Sequence, residues 1–305
     1  MTKARPANLA ASVRSRLLGV SKERREEFQF VLVRYALERL LFRLSKSSHA
    51  DSFVLKGAMM FSVWSGYPHR ATKDLDLLGI GPPDLVRLEE IFREVVLVAV
   101  EDDGLAFDAS TVKAVRIKED ADYEGVRVTL GTKLGTAKLA LQIDIGFGDA
   151  VTPAATVIEY PTFLDFAKPR LRAYPKETVV AEKLQAMVHL GLLNSRMKDF
   201  FDLWFLASKF DFDGALLAQA VAATFERRGT PIPIEPPLAL TQTFAADQGK
   251  RRQWRAFLSR SGVASTDLAL EDVVAALARF LVTPLEAART GRPLTAAWGA
   301  GGPWS

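Results

Sequence analysis

Residues 53–79 read FVLKGAMMFSVWSGYPHRATKDLDLLG, and the rest of the chain is best read around them. The spacing predicts a strand over Phe53–Lys56, a turn at Gly57, a helix over Ala58–Trp64 and a loop over Ser65–Lys73. A second strand follows over Asp74–Leu78. Side chains alternate along a strand, so Asp74 and Asp76 share one face while Leu75 and Leu77 point into a core. Two carboxylates about 7 Å apart on one strand face repel each other unless a cation sits between them. Mg²⁺ is such a cation, held by one or two carboxylates together with phosphate oxygens. Taken alone, an Asp-x-Asp pair is a weak signal, because strand ends also carry acids for solubility.

Composition narrows the chemistry. The 305 residues suggest roughly two domains, and 49% hydrophobic with 25% charged residues is an ordinary globular balance. There is no Cys, which excludes disulfides, thiolate metal sites and thiol nucleophiles. His49, His69 and His189 are the only histidines, which argues against a His-rich zinc site. A metal here would be oxygen-ligated, so Mg²⁺ is expected, with Mn²⁺ as its substitute. The net charge of +4 permits a polyanionic partner without demanding one. No apolar run has the length of a membrane span, so a cytoplasmic protein with no membrane partner is expected. The Arg-rich, acid-free N-terminus has the look of a transit peptide. Its apolar positions Leu9, Val13, Leu17 and Leu18, however, fit an amphipathic helix.

Along the chain, Ser21 is placed as the N-cap of a helix running to about Ser45, with Arg24, Arg25, Arg34 and Arg43 on a solvated face. Another helix is expected over Asp84–Val95. The pattern then turns to strands: Ala106–Asp108, Val112–Ile117, Val126–Leu130, Leu139–Ile145 and Thr156–Glu159. Beyond Tyr174-Pro175 it is helical, over Thr178–Leu190, Met197–Lys209, Phe212–Arg227, Asp247–Ser259 and Leu268–Phe280. The tail from Gly291 lacks periodicity and is expected to be loosely ordered. These elements divide the chain into an α/β domain over residues 1–170 and a helical domain over 171–305.

A third acid strengthens the metal reading. In LALQIDIG (139–146) the apolar Leu139, Leu141, Ile143 and Ile145 share one face and Asp144 lies on the other. An acid in mid-strand must meet water, a partner or a metal. Three carboxylates from two strands can hold two Mg²⁺ ions about 4 Å apart, the arrangement for in-line attack of a hydroxyl on an α-phosphate with departure of pyrophosphate. Gly57 permits close backbone approach, and the amides around Gly57-Ala58 could cradle phosphates, although a plain turn glycine reads the same way.

The runs LKGA (55–58), WSGYPHRATKDLDLLG (64–79), IDIG (143–146), AEKLQAMVHLG (181–191) and RMKDFFDLWFL (196–206) together resemble the AbiEii/AbiGii toxin nucleotidyltransferases. That family lies in the DNA polymerase β-like superfamily and acts in toxin–antitoxin and phage-abortive systems. The resemblance covers about residues 50–210. It implies an α+β fold, a mixed sheet of nucleotidyltransferase type flanked by helices, followed by a mostly helical domain that completes the active site. It also implies transfer of an NMP from an NTP to an RNA acceptor, since mycobacterial members add nucleotides to the 3′ end of tRNA and so block translation. By the same resemblance Asp74, Asp76 and Asp144 are the metal-binding acids, and Asp74, Asp76, Lys183 and Asp199 the catalytic set. Lys56, Gly57, Ala58, Lys73 and Lys183 would bind the nucleotide, and a cognate antitoxin would be the protein partner. Ala58 and Met59 depart from the family, which has a second Gly and then Ser or Thr there. Backbone amides or Ser62 would have to replace the missing hydroxyl.

The residues themselves leave alternatives open. Lys183 lies within an apolar stripe, from which a lysine either snorkels to water or reaches an anion. Asp202 shares a helix face with Asp199 and could be a simple i,i+4 partner of Lys198, which favours Asp199 as the essential acid. Lys250, Arg251, Arg252, Arg255 and Arg260, interleaved with Trp254 and extended by Arg196 and Lys198, suit RNA phosphates and a stacked base, or a solvated helix face. His69-Arg70 would lie near the nucleotide or the acceptor. Transfer to a protein or small-molecule hydroxyl, or a catalytically weak nucleotide- or RNA-binding module, would use the same residues.

Overall fold

The computed structural model describes residues 8–66, 70, 72–120, 123–261 and 267–305; His69 lies outside them. Two units divide the chain: residues 1–148 with 156–173, and residues 149–155 with 174–305. The sequence division at residue 170 did not foresee that the segment 149–155 belongs with the second unit.

The first unit begins with α1 (Leu9–Arg24), whose N-terminus is closed by Asn8 accepting from the Ala11 amide at 3.0 Å. Val13 and Leu17 of this helix are fully buried. Arg25 then adopts a left-handed conformation (φ 54°) and ends it. Ser21 is therefore not an N-cap but part of the last turn of α1, its hydroxyl donating to the Glu26 carbonyl at 2.7 Å. The expected single helix is two, because α2 (Phe28–Lys46) starts afresh beyond the break.

The arginines also depart from expectation. Arg24 and Arg25 are exposed, but Arg34 and Arg43 of α2 are buried. Arg34 pairs with Glu26 at 2.7 Å. Arg43 holds Asp103 through both nitrogens, at 2.6 and 3.2 Å, while Arg39 Nε reaches the same carboxylate at 3.1 Å. Asp103 is fully buried, so two guanidinium groups offset the large cost of desolvating one carboxylate. A helical-wheel reading of α2 finds the charges; it does not show that a buried acid is waiting for them.

The remaining elements are β1 (Phe53–Lys56), α3 (Met60–Ser65), β2 (Asp74–Gly79), α4 (Leu85–Leu97), β3 (Leu105–Asp120), β4 (Tyr123–Leu134), β5 (Ala137–Phe147), β6 (Thr156–Glu159) and β7 (Arg170–Ala173). The seven strands form one mixed sheet in the order β3-β4-β5-β2-β1-β7-β6. β2 lies inside it, antiparallel to β1 and parallel to β5. The two strands expected at 106–108 and 112–117 are one, with a register shift against β4 between Asp108 and Lys113. α1, α2 and α4 contribute to an apolar core against one face of the sheet, where Leu75, Leu77, Ile143, Ile145, Val126 and Val128 are all fully buried.

The second unit contains α5 (Lys176–Leu190), α6 (Met197–Lys209), β8 (Phe212–Asp213), α7 (Gly214–Arg227), α8 (Gln242–Ala246), α9 (Gln248–Arg260), α10 (Leu270–Thr290) and β9 (Ala297–Trp298). α10 runs ten residues past its expected end at Phe280 and includes Pro284, because Leu281 and Leu285 extend its buried stripe. The tail is ordered. β9 pairs with β8, and Trp298 and Trp304 pack on Phe280 at 5.0 and 6.1 Å. Their indole N–H groups donate to the carbonyls of Ala207 (2.7 Å) and Phe280 (3.1 Å). Two tryptophans in a glycine-rich tail carry no periodicity, yet they supply enough apolar area to fix it. Among the described residues no helix is long and apolar enough to cross a membrane.

Glu38 of α2 is buried and accepts from the Phe163 amide at 2.9 Å. Burial pushes its pKa up to about 8, against the Phe163 hydrogen bond and the Arg39 charge, which lower it. The folded chain thus keeps a proton that the unfolded chain releases above its ordinary carboxylate pKa. Stability from this group falls as pH rises from about 4.5 towards 8. Between pH 5 and pH 8 the urea midpoint should fall further for the parent chain than for Glu38→Gln, which cannot ionise.

Candidate active site

β2 carries the acids as its alternation requires. Leu75 and Leu77 are fully buried in the core, and Asp74 and Asp76 are half-buried on the opposite face. The sheet register does more than the strand alone. Asp76 stands opposite Lys56 of β1 on one side and beside Asp144 of β5 on the other, and Asp144 stands opposite Arg127 of β4. Lys56, Asp76, Asp144 and Arg127 therefore form a row across four strands, with two acids flanked by two bases.

Arg127 grips Asp144 bidentately, Nε to Oδ1 at 2.8 Å and Nη2 to Oδ2 at 2.9 Å. Gln142 Nε2 adds a longer contact to Oδ2 at 3.3 Å. The hydrogen bonds to Asp144 raise the Arg127 pKa, and the charges of Asp144, Asp74 and Asp76 act in the same direction. Arg127 was missed from the sequence. Its signal was the alternation Val126-Arg127-Val128, which turns the arginine away from the core and onto the face of the acids.

Gly57 is required by the same row. Its φ is +73°, and a Cβ placed there would lie 1.9 Å from Asp76 Oδ2. The close backbone approach that a glycine permits is made here to the carboxylate of Asp76 itself. Gly57–Met59 forms a 3₁₀ turn leading into the six residues of α3. Ala58 and Met59 are buried. Ser62, the candidate replacement hydroxyl, is also buried and hydrogen-bonds the Tyr160 side chain. That engagement removes it from phosphate binding. Lys73 is exposed, with Nζ 4.5 Å above the Phe30 ring.

The donors of Asp74 and Asp76 are hard oxygens on one face, the type a Mg²⁺ ion takes as one or two ligands beside water and phosphate. These two residues fit such an ion. Among the described residues no group of three or more acidic or histidine side chains converges on one metal position, and both oxygens of Asp144 are occupied by Arg127.

A second cluster lies within the helical unit. Lys183 Nζ of α5 contacts Asp199 Oδ1 at 2.5 Å and Asp202 Oδ2 at 2.9 Å, both on α6. Arg196 Nε reaches Asp199 Oδ2 at 2.8 Å. Both aspartates are 1% exposed. Burial pushes the Asp199 pKa up, but Lys183, then Arg196 and Lys198, outweigh it and hold the carboxyl below its ordinary value. Lys183 therefore does not snorkel; it is bound by two buried carboxylates. Asp202 is as much its partner as Asp199, so the sequence ground for preferring Asp199 does not hold.

The basic stretch of α9 is not the surface its composition suggests. Lys250 is buried and donates to the Asn194 carbonyl at 2.8 Å. Trp254 is buried with its indole N–H on the Leu268 carbonyl at 2.7 Å, which withdraws it from base stacking. Arg251 pairs with Glu271. Arg252 and Arg255 are exposed, as is Lys198.

The structure thus combines a seven-stranded mixed sheet, with paired acids on an inner strand, and a helical unit. Residues 39–279 match the model of the nucleotidyl transferase AbiEii toxin family of type IV toxin–antitoxin systems, and the chain belongs to that family. Membership implies a nucleoside triphosphate substrate and an antitoxin partner. Two solved Helicobacter pylori structures are similar to it: one described as a candidate nucleotidyltransferase, the other the protein JHP933. Each has 17% identity and a TM-score of 0.46 over 84% of this chain, covering 93% and 90% of those chains respectively. No curated protein matches the sequence.

Two stability measurements test this geometry. Gly57→Ala should destabilise the chain by more than the about 1–3 kcal/mol that left-handed backbone alone costs a side chain, and an Asp76→Gly background should remove only the excess due to the Asp76 clash, in a double-mutant cycle by urea denaturation. Lys183→Met leaves two buried acids without their shared cation and should cost about 3–5 kcal/mol, whereas Lys183→Arg should retain most of the stability.

Proposed function

We propose that the chain transfers an NMP from an NTP to the 3′ hydroxyl of an RNA, with tRNA as the acceptor, and that it blocks translation in the cytoplasm by doing so. The observation that carries this reading is the face on which Asp74, Asp76 and Asp144 stand side by side across β2 and β5, in a chain of the AbiEii family. The 3′ oxygen would bond to the α-phosphorus as the α–β phosphate bond breaks, pyrophosphate leaves and the hydroxyl proton passes to water. Asp74 and Asp76 would hold a Mg²⁺ ion, which supplies charge neutralisation at the phosphates when bound; Mn²⁺ would substitute. Asp144 would stay engaged with Arg127, which offsets its charge beside that pair.

Lys183 would contact the triphosphate, with Asp199 and Asp202 fixing its position. Lys56, Gly57, Ala58 and Lys73 would complete the nucleotide contacts, Gly57 acting by leaving room for the Asp76 carboxylate. A cognate antitoxin would restrain the activity.

One observation favours a second reading, a catalytically weak nucleotide- or RNA-binding module. Ala58 and Met59 carry no hydroxyl, and Ser62 is bonded to Tyr160.

Labelled NTPs, Mg²⁺ and total tRNA, incubated with the parent chain and with Asp74→Ala, separate the two. The transferase reading expects label in RNase-sensitive material and a loss of at least ~100-fold in the variant, the upper end of what losing even a metal's outer partner costs. Label surviving RNase would place the acceptor hydroxyl on a protein or small molecule, and no transfer by the parent chain would leave the binding module.

A further inference from the structure

Within the helical unit a groove of about 540 Å³ opens between the first turn of α6 and the C-terminal half of α9. Arg196, Lys198, Gln253, Phe257 and Arg260 line it, and none of the described lining residues is acidic. Its size lies within the range of about 300–1,000 Å³ usual for sites that take small organic groups. Arg260 is exposed, its Nε tied to the Ala256 carbonyl at 3.0 Å. That bond orients the guanidinium on the helix. Lys198 is exposed beside it in the lining, and Arg196 is shared with Asp199. Phe257 is half-buried and held by Phe201 at 5.8 Å and Trp254 at 5.6 Å. The N-terminus of α6, thirteen residues long, has no side-chain cap, and Asp199 in its first turn offsets part of its positive end.

Cations around a rigid aromatic ring suit a phosphodiester with its base better than a carboxylate peptide, because an aromatic face stacks on any base while arginine and lysine meet the phosphate. We propose that this groove seats one nucleotide unit of a single-stranded RNA. Lys198 and Arg260 meet its phosphate, its base lies on Phe257, and Gln253, whose Oε1 accepts from Lys250 at 3.4 Å, offers its Nε2 to the base edge. The inference rests on the reading that the acceptor is RNA. It keeps Lys198 and Arg260 of the basic stretch and replaces Lys250 and Trp254, which the fold buries, with Gln253 and Phe257.

The test is fluorescence anisotropy of a labelled, unstructured RNA oligonucleotide with the full chain, without NTP, across a salt series. Lys198→Glu with Arg260→Glu should weaken binding at least tenfold, and Lys198→Gln with Arg260→Gln should lower the salt slope by about 1.4, ~0.7 for each lost single-strand contact. Arg289→Glu, an exposed charge reversal on α10 outside the groove, should change neither to that extent. Phe257→Ala should weaken binding while leaving the salt slope unchanged. Parent-like RNA affinity in the double-glutamate variant, or equal weakening by Arg289→Glu, overturns the groove. Label transfer from NTP to RNA, run on the same preparations, keeps the two ideas apart. Transfer at the parent rate in the double variant also overturns the groove and leaves the transferase reading standing, whereas no transfer by the parent chain overturns that reading itself.

Discussion

The parallel pairing of β2 with β5 is the constraint on which the rest of the first unit depends. It aligns Leu75 and Leu77 with Ile143 and Ile145 on the core side, all fully buried. Asp76 and Asp144 are thereby brought side by side on the other face. A slip of one residue would exchange the two sets and bury the acids, so the hydrophobic register fixes the carboxylates as firmly as any contact they make themselves. Like charges on adjacent strands are unfavourable. The sheet answers with Arg127 on β4, which takes Asp144, and with Lys56 on β1 in register with Asp76. Gly57 completes the arrangement, because the Asp76 carboxylate occupies the space that any side chain there would need.

Buried charge is handled alike in both units. Asp103 is held by Arg39 and Arg43, and Lys183 by Asp199 and Asp202. In each case a desolvated ion is tolerable because it is paired and hydrogen-bonded, and removing one partner leaves the other exposed to the full desolvation cost. Lys183 thus joins α5 to α6 as well as being a candidate ligand for phosphate. Loss of activity on replacing it would report on folding and on binding together, which is why the arginine variant matters.

Much of this was legible in the chain. Strict alternation in residues 74–78 and 139–145 gave the strands, their faces and the outward acids, because period-two patterning is a local property. Helices expected at 178–190, 197–209 and 247–259 from their apolar spacing are observed at 176–190, 197–209 and 248–260. Arg34 and Arg43 were not legible as buried residues. A charge on a helix is solvated by default; Asp103, 60 residues on, reverses that for Arg43, and Glu26, across the break before α2, pairs with Arg34. The tail was illegible for a related reason: Trp298 and Trp304 are ordered by Phe280 and by carbonyls elsewhere in the second unit, not by their neighbours in sequence.

By itself the sequence determined the mixed α and β character, the outward pair Asp74 and Asp76, the oxygen-only donor chemistry of a cysteine-free chain and the motifs of its family. These depend on residue type and on spacing within one element, which local sterics and alternation decide. Only the tertiary structure decided that Asp144 is gripped by Arg127, that Asp202 shares Lys183 with Asp199, that Lys250 and Trp254 are withdrawn from the surface, and that Gly57 is there for Asp76. Each of these is a meeting of residues from different elements, set by strand register or helix packing, and no periodicity within one element encodes it.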